Sequence, residues 1–207
     1  MSQKSMHPKQ PICIVSCSVL KRELLKLKAE GKLDAELVFV SKNFHVDYGL
    51  LESNLRRVLE QTKKRFNGKI VLVYGDLCLG PDGEMKKLAI EYGISKIDAV
   101  NCVDCQLGGK GIVNTMDPDN NLMFMGPGMI EFFEDMKPRL MQEGLDEEAF
   151  ANMFSGIRGF IILDTCDDGA ALSEKIRRGG LKAPVLETRK IGIDGVLRTV
   201  KQAIERV

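Results

Sequence analysis

The residues best equipped for chemistry in this chain are thiols and an imidazole, and they fall at the ends of apolar runs. Cys17 directly follows "ICIVS", His45 comes just after "LVFVS", and Cys78 sits in "YGDLCLG" after "KIVLV". Cys105 closes the C-x-x-C stretch "CVDC". Thiolate and imidazole together suit zinc, iron or another thiophilic ion. All four would close a tetrahedral structural site, and three would leave a position open to substrate or water. The alternative is that these are ordinary buried cysteines, with His45 as a hydrogen-bonding turn residue. Cys102 and Cys105 could also cycle between dithiol and disulfide. We favour a split in which Cys102 points into the core and Cys105 reaches the sheet edge. Cys17, just ahead of "SVLKREL", is the better candidate for a thiolate at a helix start. Around these groups, Glu23 could orient a ligand or pair with Lys26. Tyr74 could stack on a ligand or end a core strand, and Asp104 could support His45 or shape a turn.

Elements able to bring such distant residues together can be read from the apolar pattern. Short runs at 12–16, 37–41, 69–74, 159–165 and 183–187 read as strands, with a weaker one at 97–103 and a short extra one at 122–125. Helical spacing separates them: Leu20, Leu24 and Leu27; Leu51, Leu55, Val58 and Leu59; residues 84–93; and a last stripe through Val196, Val200 and Ala203. Residues 128–144 also read as helix, with Pro138 expected to kink or split it. Alternation of this kind predicts an α/β fold: a mostly parallel, doubly wound, Rossmann-like sheet of about five to six strands with helices on both faces. The strands are nearly continuous apolar runs, as strands covered on both faces are. In such sheets ligands bind beyond the carboxyl edge, where these junction residues lie. Residues 11–207 are read as a single domain behind a flexible N-terminus at 1–10.

Bulk properties narrow the classes. The chain has 207 residues, 44% hydrophobic and 29% charged, with a formal net charge of +1. The near-neutral balance gives no general nucleic-acid surface. No apolar run is long enough to cross a bilayer, and the polar start lacks the apolar core of a signal peptide, so a cytoplasmic location without membrane attachment is expected. Six cysteines in such a setting are expected to be free thiols, ligands or redox groups rather than a disulfide framework. "LGGKG" and "GPG" raise a second reading, a small-molecule or nucleotide-phosphate-binding module with structural cysteines. Neither the P-loop nor the G-x-G-x-x-G fingerprint is present, however.

Five fragments in order, "CSVLKREL", "FHVDYGLLESNLRRVLE", "IVLVYGDLCLG", "VDCQLGG" and "GPGMIEFFED", together with the C-terminal "LRTV" helix, resemble the successive motifs of the uncharacterised domain of unknown function 1638 family. The resemblance implies site roles for Cys17, Glu23, His45, Tyr74, Gly75, Cys78, Asp104, Cys105 and Gly108. It also implies an association with corrinoid-dependent methyltransferase systems of methanogenic archaea and anaerobes. In that context the chain would be a catalyst or an accessory protein, with a small-molecule or corrinoid-protein partner and access to a corrinoid through that partner. Val103 stands where the pattern carries histidine, and the loop after Cys105 is "QLGGKG" rather than a more apolar run.

Overall fold

The computed structural model describes residues 10–206. The expected flexible N-terminus, with His7, lies outside the described residues apart from the exposed Gln10. Seven strands are all paired in parallel, but in two sheets rather than one. The first has the order β2-β1-β3-β4, from β1 (Ile12–Cys17), β2 (Glu36–Val40), β3 (Lys69–Val73) and β4 (Ser95–Lys96). The second has the order β5-β6-β7, from β5 (Leu122–Met125), β6 (Gly159–Asp164) and β7 (Val185–Lys190). The parallel α/β architecture flanked by helices is the one expected.

Alternation along each strand builds the layers, because successive side chains leave opposite faces. Cys13, Val15, Ile70 and Leu72 face one side of the first sheet. There they meet Leu51, Leu55 and Leu59 of α2 (Tyr48–Arg65) and Met85 and Leu88 of α3 (Glu84–Glu91). Ile14, Val71 and Val73 face the other side. There they meet Leu20, then Leu24 and Leu27 of α1 (Lys21–Ala29), and Val196, Val200 and Ala203 of α9 (Asp194–Glu205). Full burial of a leucine stabilises by about 1.5–3 kcal/mol, so the α2 stripe alone, with all three leucines at 0% exposure, fixes which face of that helix turns inward.

In the second sheet, Phe160 and Ile162 pack with Ile130 of α6 (Pro127–Gln142) and with Leu172 and Ile176 of α8 (Gly169–Arg178). The helix α6 runs unbroken through Pro138. The opposite face of the second sheet, with Phe124, Ile161 and Leu163, meets Val103 of α4 (Cys102–Leu107) and Val113 of α5 (Ile112–Met116). A short α7 (Glu147–Asn152) completes the set.

The strand expected over 97–103 is not formed. β4 is only two residues long, and Cys102 already starts a helix. The reason is local: Asn101 accepts a hydrogen bond from the Asp104 amide at 3.0 Å, a side-chain cap that turns the backbone into α4. Residues 97–100 still follow the end of β3, since Asp76 and Leu77 donate their amides to the Ala99 and Val100 carbonyls. α4 lies between the sheets, turning Val103 toward the second and Cys105 toward the first.

Candidate functional site

Four strand ends of the first sheet converge on one cavity of about 270 Å³. β1 delivers Cys17, and the segment after β2 (residues 42–46) delivers Lys42 and His45. β3 runs out into Tyr74, Gly75, Leu77 and Cys78; after β4 the chain supplies Asn101 and Cys102. Met129 and Phe132 of α6 close the far wall. Parallel strands all end on the same edge, so residues far apart in sequence meet there.

Cys17 is held by its own turn: the Val19 amide donates to its Sγ at 3.5 Å. Its Sγ lies 3.2 Å from His45 Nε2. The His45 ring stacks on Tyr74, with centroids 6.1 Å apart and an interplanar angle of 15°. Tyr74 is 2% exposed, with its hydroxyl buried beside the Cys17 and Cys78 thiols. Gly75 allows this crowding. A methyl group there would strike the Val100–Asn101 backbone.

Burial governs the protonation of this set. It pushes the Cys17 thiol up to about 12 and Cys78 up to about 11, and it raises Cys102 and Tyr74 well above their ordinary values. It lowers His45. At neutral pH the pocket therefore holds neutral thiols and a neutral imidazole, with the Cys17 S–H free to donate to His45 Nε2. Removing the thiol protons in such a place requires a compensating positive charge.

The nine residues singled out from sequence divide sharply. Cys17, His45, Tyr74, Gly75 and Cys78 line the cavity. Cys105 does not: it is fully buried against α9, with its Sγ 3.1 Å from Thr199 Oγ1. The split favoured within "CVDC" is thus reversed. Formation of α4 puts Cys102 at the pocket and turns Cys105 a helical turn away into the core. The set Cys17, His45, Cys78 and Cys105 is not gathered. Among the described residues no group of three or more His, Cys, Asp or Glu side chains is placed so that it could hold a metal ion.

Asp104 does not support His45. Its carboxylate accepts from the amides of Val100, Gly111 and Val113 at 3.1, 2.9 and 3.0 Å. It occupies the amide-rich loop that "LGGKG" offered to a phosphate. Gly108 ends α4 at φ 99° against Gly195 and Arg198, outside the cavity. Gly126 and Gly128 serve close packing instead: a methyl group on either would strike Gln106 or the Val19 carbonyl. Glu23 is neither exposed nor paired with Lys26; it is fully buried, accepting from Gln106 Nε2 at 2.7 Å and Thr165 Oγ1 at 2.8 Å. Lys42, Asn101 and Phe132 were not singled out as site residues, and Cys102 was read only as half of the C-x-x-C pair. Asn101, with Asp104 three positions on, was the sequence signal for a capped helix at the fourth junction.

Fold and pocket together define a class: a parallel α/β protein with a thiol- and imidazole-lined cavity at the carboxyl edge of one sheet. Residues 39–181 match the family model described as "Protein of unknown function (DUF1638)", well over half of the chain, and the chain belongs to that family. None of the curated proteins matches the sequence. Among solved structures it is similar to the crystal structure of a sugar ABC transporter from Yersinia enterocolitica subsp. enterocolitica 8081, at 13% identity and a TM-score of 0.31. The match covers 97% of this chain and 63% of that one, and a likeness at that score carries no argument. No helix among the described residues is long and apolar enough to cross a membrane.

Proposed function

We propose that this chain binds a thiophilic metal ion, zinc or iron, in the cavity at the carboxyl edge of its first sheet. The ligands would come from Cys17, His45, Cys78 and Cys102. The observation that carries the proposal is the convergence of these four soft donors from four separate strand ends on one cavity, with Cys17 and His45 already 3.2 Å apart. The donor set suits such an ion by its chemistry. Cys78 and Cys102 would close in by side-chain rotation. Cys105, in the core beside Thr199, is left out of the set. The apolar wall of Val19, Val73, Ile97, Met129 and Phe132 would face any coordination position left free, so a small, largely apolar ligand suits the remaining space.

The family resemblance adds a context, corrinoid-dependent one-carbon metabolism, in which the chain would act as a methyl-transfer catalyst or an accessory protein. The ion would supply a means of holding sulfur as thiolate. This chain's own residues would bind it, stack His45 against Tyr74, and exclude water. The competing phosphate-binding reading is disfavoured by Asp104, which already engages the glycine-loop amides.

Elemental analysis of anaerobically purified protein tests the proposal. One equivalent of zinc or iron is expected, lost in Cys78→Ser and in Cys17→Ser and kept in Cys105→Ser. Absence of bound metal after anaerobic reconstitution, or equal loss in the Cys105 variant and the pocket variants, would overturn it.

A further inference from the structure

The cavity lies between the strand ends of the first sheet and α6 of the second, and charges of opposite sign face each other across the joint. Arg22 and Lys26 of α1, with Lys42 after β2, belong to the first sheet. Glu131 and Asp135 of α6, with Asp167 and Asp168 after β6, belong to the second. Arg22 pairs with Asp168 at 2.5 Å and reaches Glu131 at 3.8 Å. Lys26 pairs with Asp167 at 2.7 Å, and Lys42 meets Asp135 at 3.1 Å and Glu131 at 3.7 Å. In these cross-joint pairs the bases come from the first sheet's side and the acids from the second's, although Asp167 is shared with Lys190 of β7 at 2.7 Å and Lys26 also lies 4.0 Å from Glu30 of its own side. Met129 and Phe132, which cover the cavity, lie on the same helix as Glu131 and Asp135. The start of that helix is pinned where Gly128 packs on the Val19 carbonyl.

We propose that these pairs form an electrostatic clasp governing access to the cavity: Lys42, by holding Glu131 and Asp135, keeps Phe132 of α6 down over Cys17, Cys78 and Cys102, while Arg22 and Lys26 hold the neighbouring segment after β6. Each pair is individually weak because it is partly solvated, so the closed state is held by a margin that salt can remove. Screening shortens the reach of such charges from about 8 Å at physiological ionic strength to about 3 Å at 1 M. The regulatory importance of the clasp rests on the cavity being the functional site, but its existence does not require a metal.

The test is therefore run on metal-free, full-length protein with 4,4′-dithiodipyridine. Modification of each cysteine is followed by mass spectrometry and normalised to the rate with glutathione in the same buffer. Labelling of Cys17, Cys78 and Cys102 is expected to rise about five- to tenfold between low salt and 1 M sodium chloride. The E131Q/D135N variant is expected to show a similar rise already at low salt, with a weaker salt dependence. Cys13 and Cys105, both fully buried, stay protected if only the clasp opens. Rates insensitive to salt in the native protein would overturn the inference. So would a rise matched by Cys13 and Cys105, which reports general loosening. A protein that binds no metal yet shows the selective rise would refute the metal proposal and leave the clasp standing.

Discussion

Glu23 is a fully buried carboxyl. Its Oε1 accepts two hydrogen bonds while its Oε2 is buried without a partner. Burial holds the carboxyl above its ordinary value. The folded chain therefore keeps a proton that the unfolded chain releases. From the ordinary glutamate pKa, about 4.3, up to the raised folded value, the folded state binds more protons and stability falls as pH rises. Glu23→Gln keeps the acceptor for Gln106 and Thr165 and removes the ionisation. The variant should melt higher than the native protein at pH 7–8 and show no advantage near pH 4. Glu23→Ala should lose stability throughout, at about 1–3 kcal/mol for each buried donor left unpaired. Thermal unfolding across pH checks both, and a native-minus-Gln difference independent of pH would show that Glu23 is not the titrating group. Cys17 and Cys78 were legible as pocket residues because each follows an apolar run, whereas Cys102 was not. The burial of Glu23 was not, since "KREL" looks solvated until Gln106 and Thr165 arrive from distant segments.

At the level of elements, α4 and its following loop are organised by one carboxylate. Asp104 collects three backbone amides, from Val100, Gly111 and Val113. An asparagine keeps the shape but offers one acceptor oxygen and turns an N–H₂ toward amides. Asp104→Asn should therefore cost about 2–4 kcal/mol, read as a lower midpoint in urea unfolding with an unchanged slope. A loss below about 0.5 kcal/mol would mean the loop is held by other contacts. This is also where sequence reading went furthest astray. "IDAVNCV" has the apolar content of a strand, and Ile97 and Ala99 are indeed buried in the first sheet's core. The Asn101 cap outweighs that pattern, and its consequence is the exchange of Cys105 for Cys102 at the cavity. The longer elements were legible because a stripe such as Leu51, Leu55 and Leu59 has no comparable local competitor.

For the whole molecule, parallel pairing was visible in the alternation of apolar strands and helical stripes, whereas the division into two sheets was not. A buried strand reads the same whichever sheet receives it, and it is tertiary packing, such as that of α4 between Val103's and Cys105's neighbours, that separates the two. The division has a consequence for assembly. α9 returns from the second sheet to cover the first, placing Val196, Val200 and Ala203 over Ile14, Val71 and Val73. β1 and β3 thus precede in the chain, by more than 100 residues, the helix that completes the dry covering of one of their faces. A fragment ending before Asp194 should bind a hydrophobic dye and melt without cooperativity, and a sharp calorimetric transition from it would refute this. The chain is in effect sewn shut from its far end, so damage to the last dozen described residues should be felt first in the N-terminal sheet.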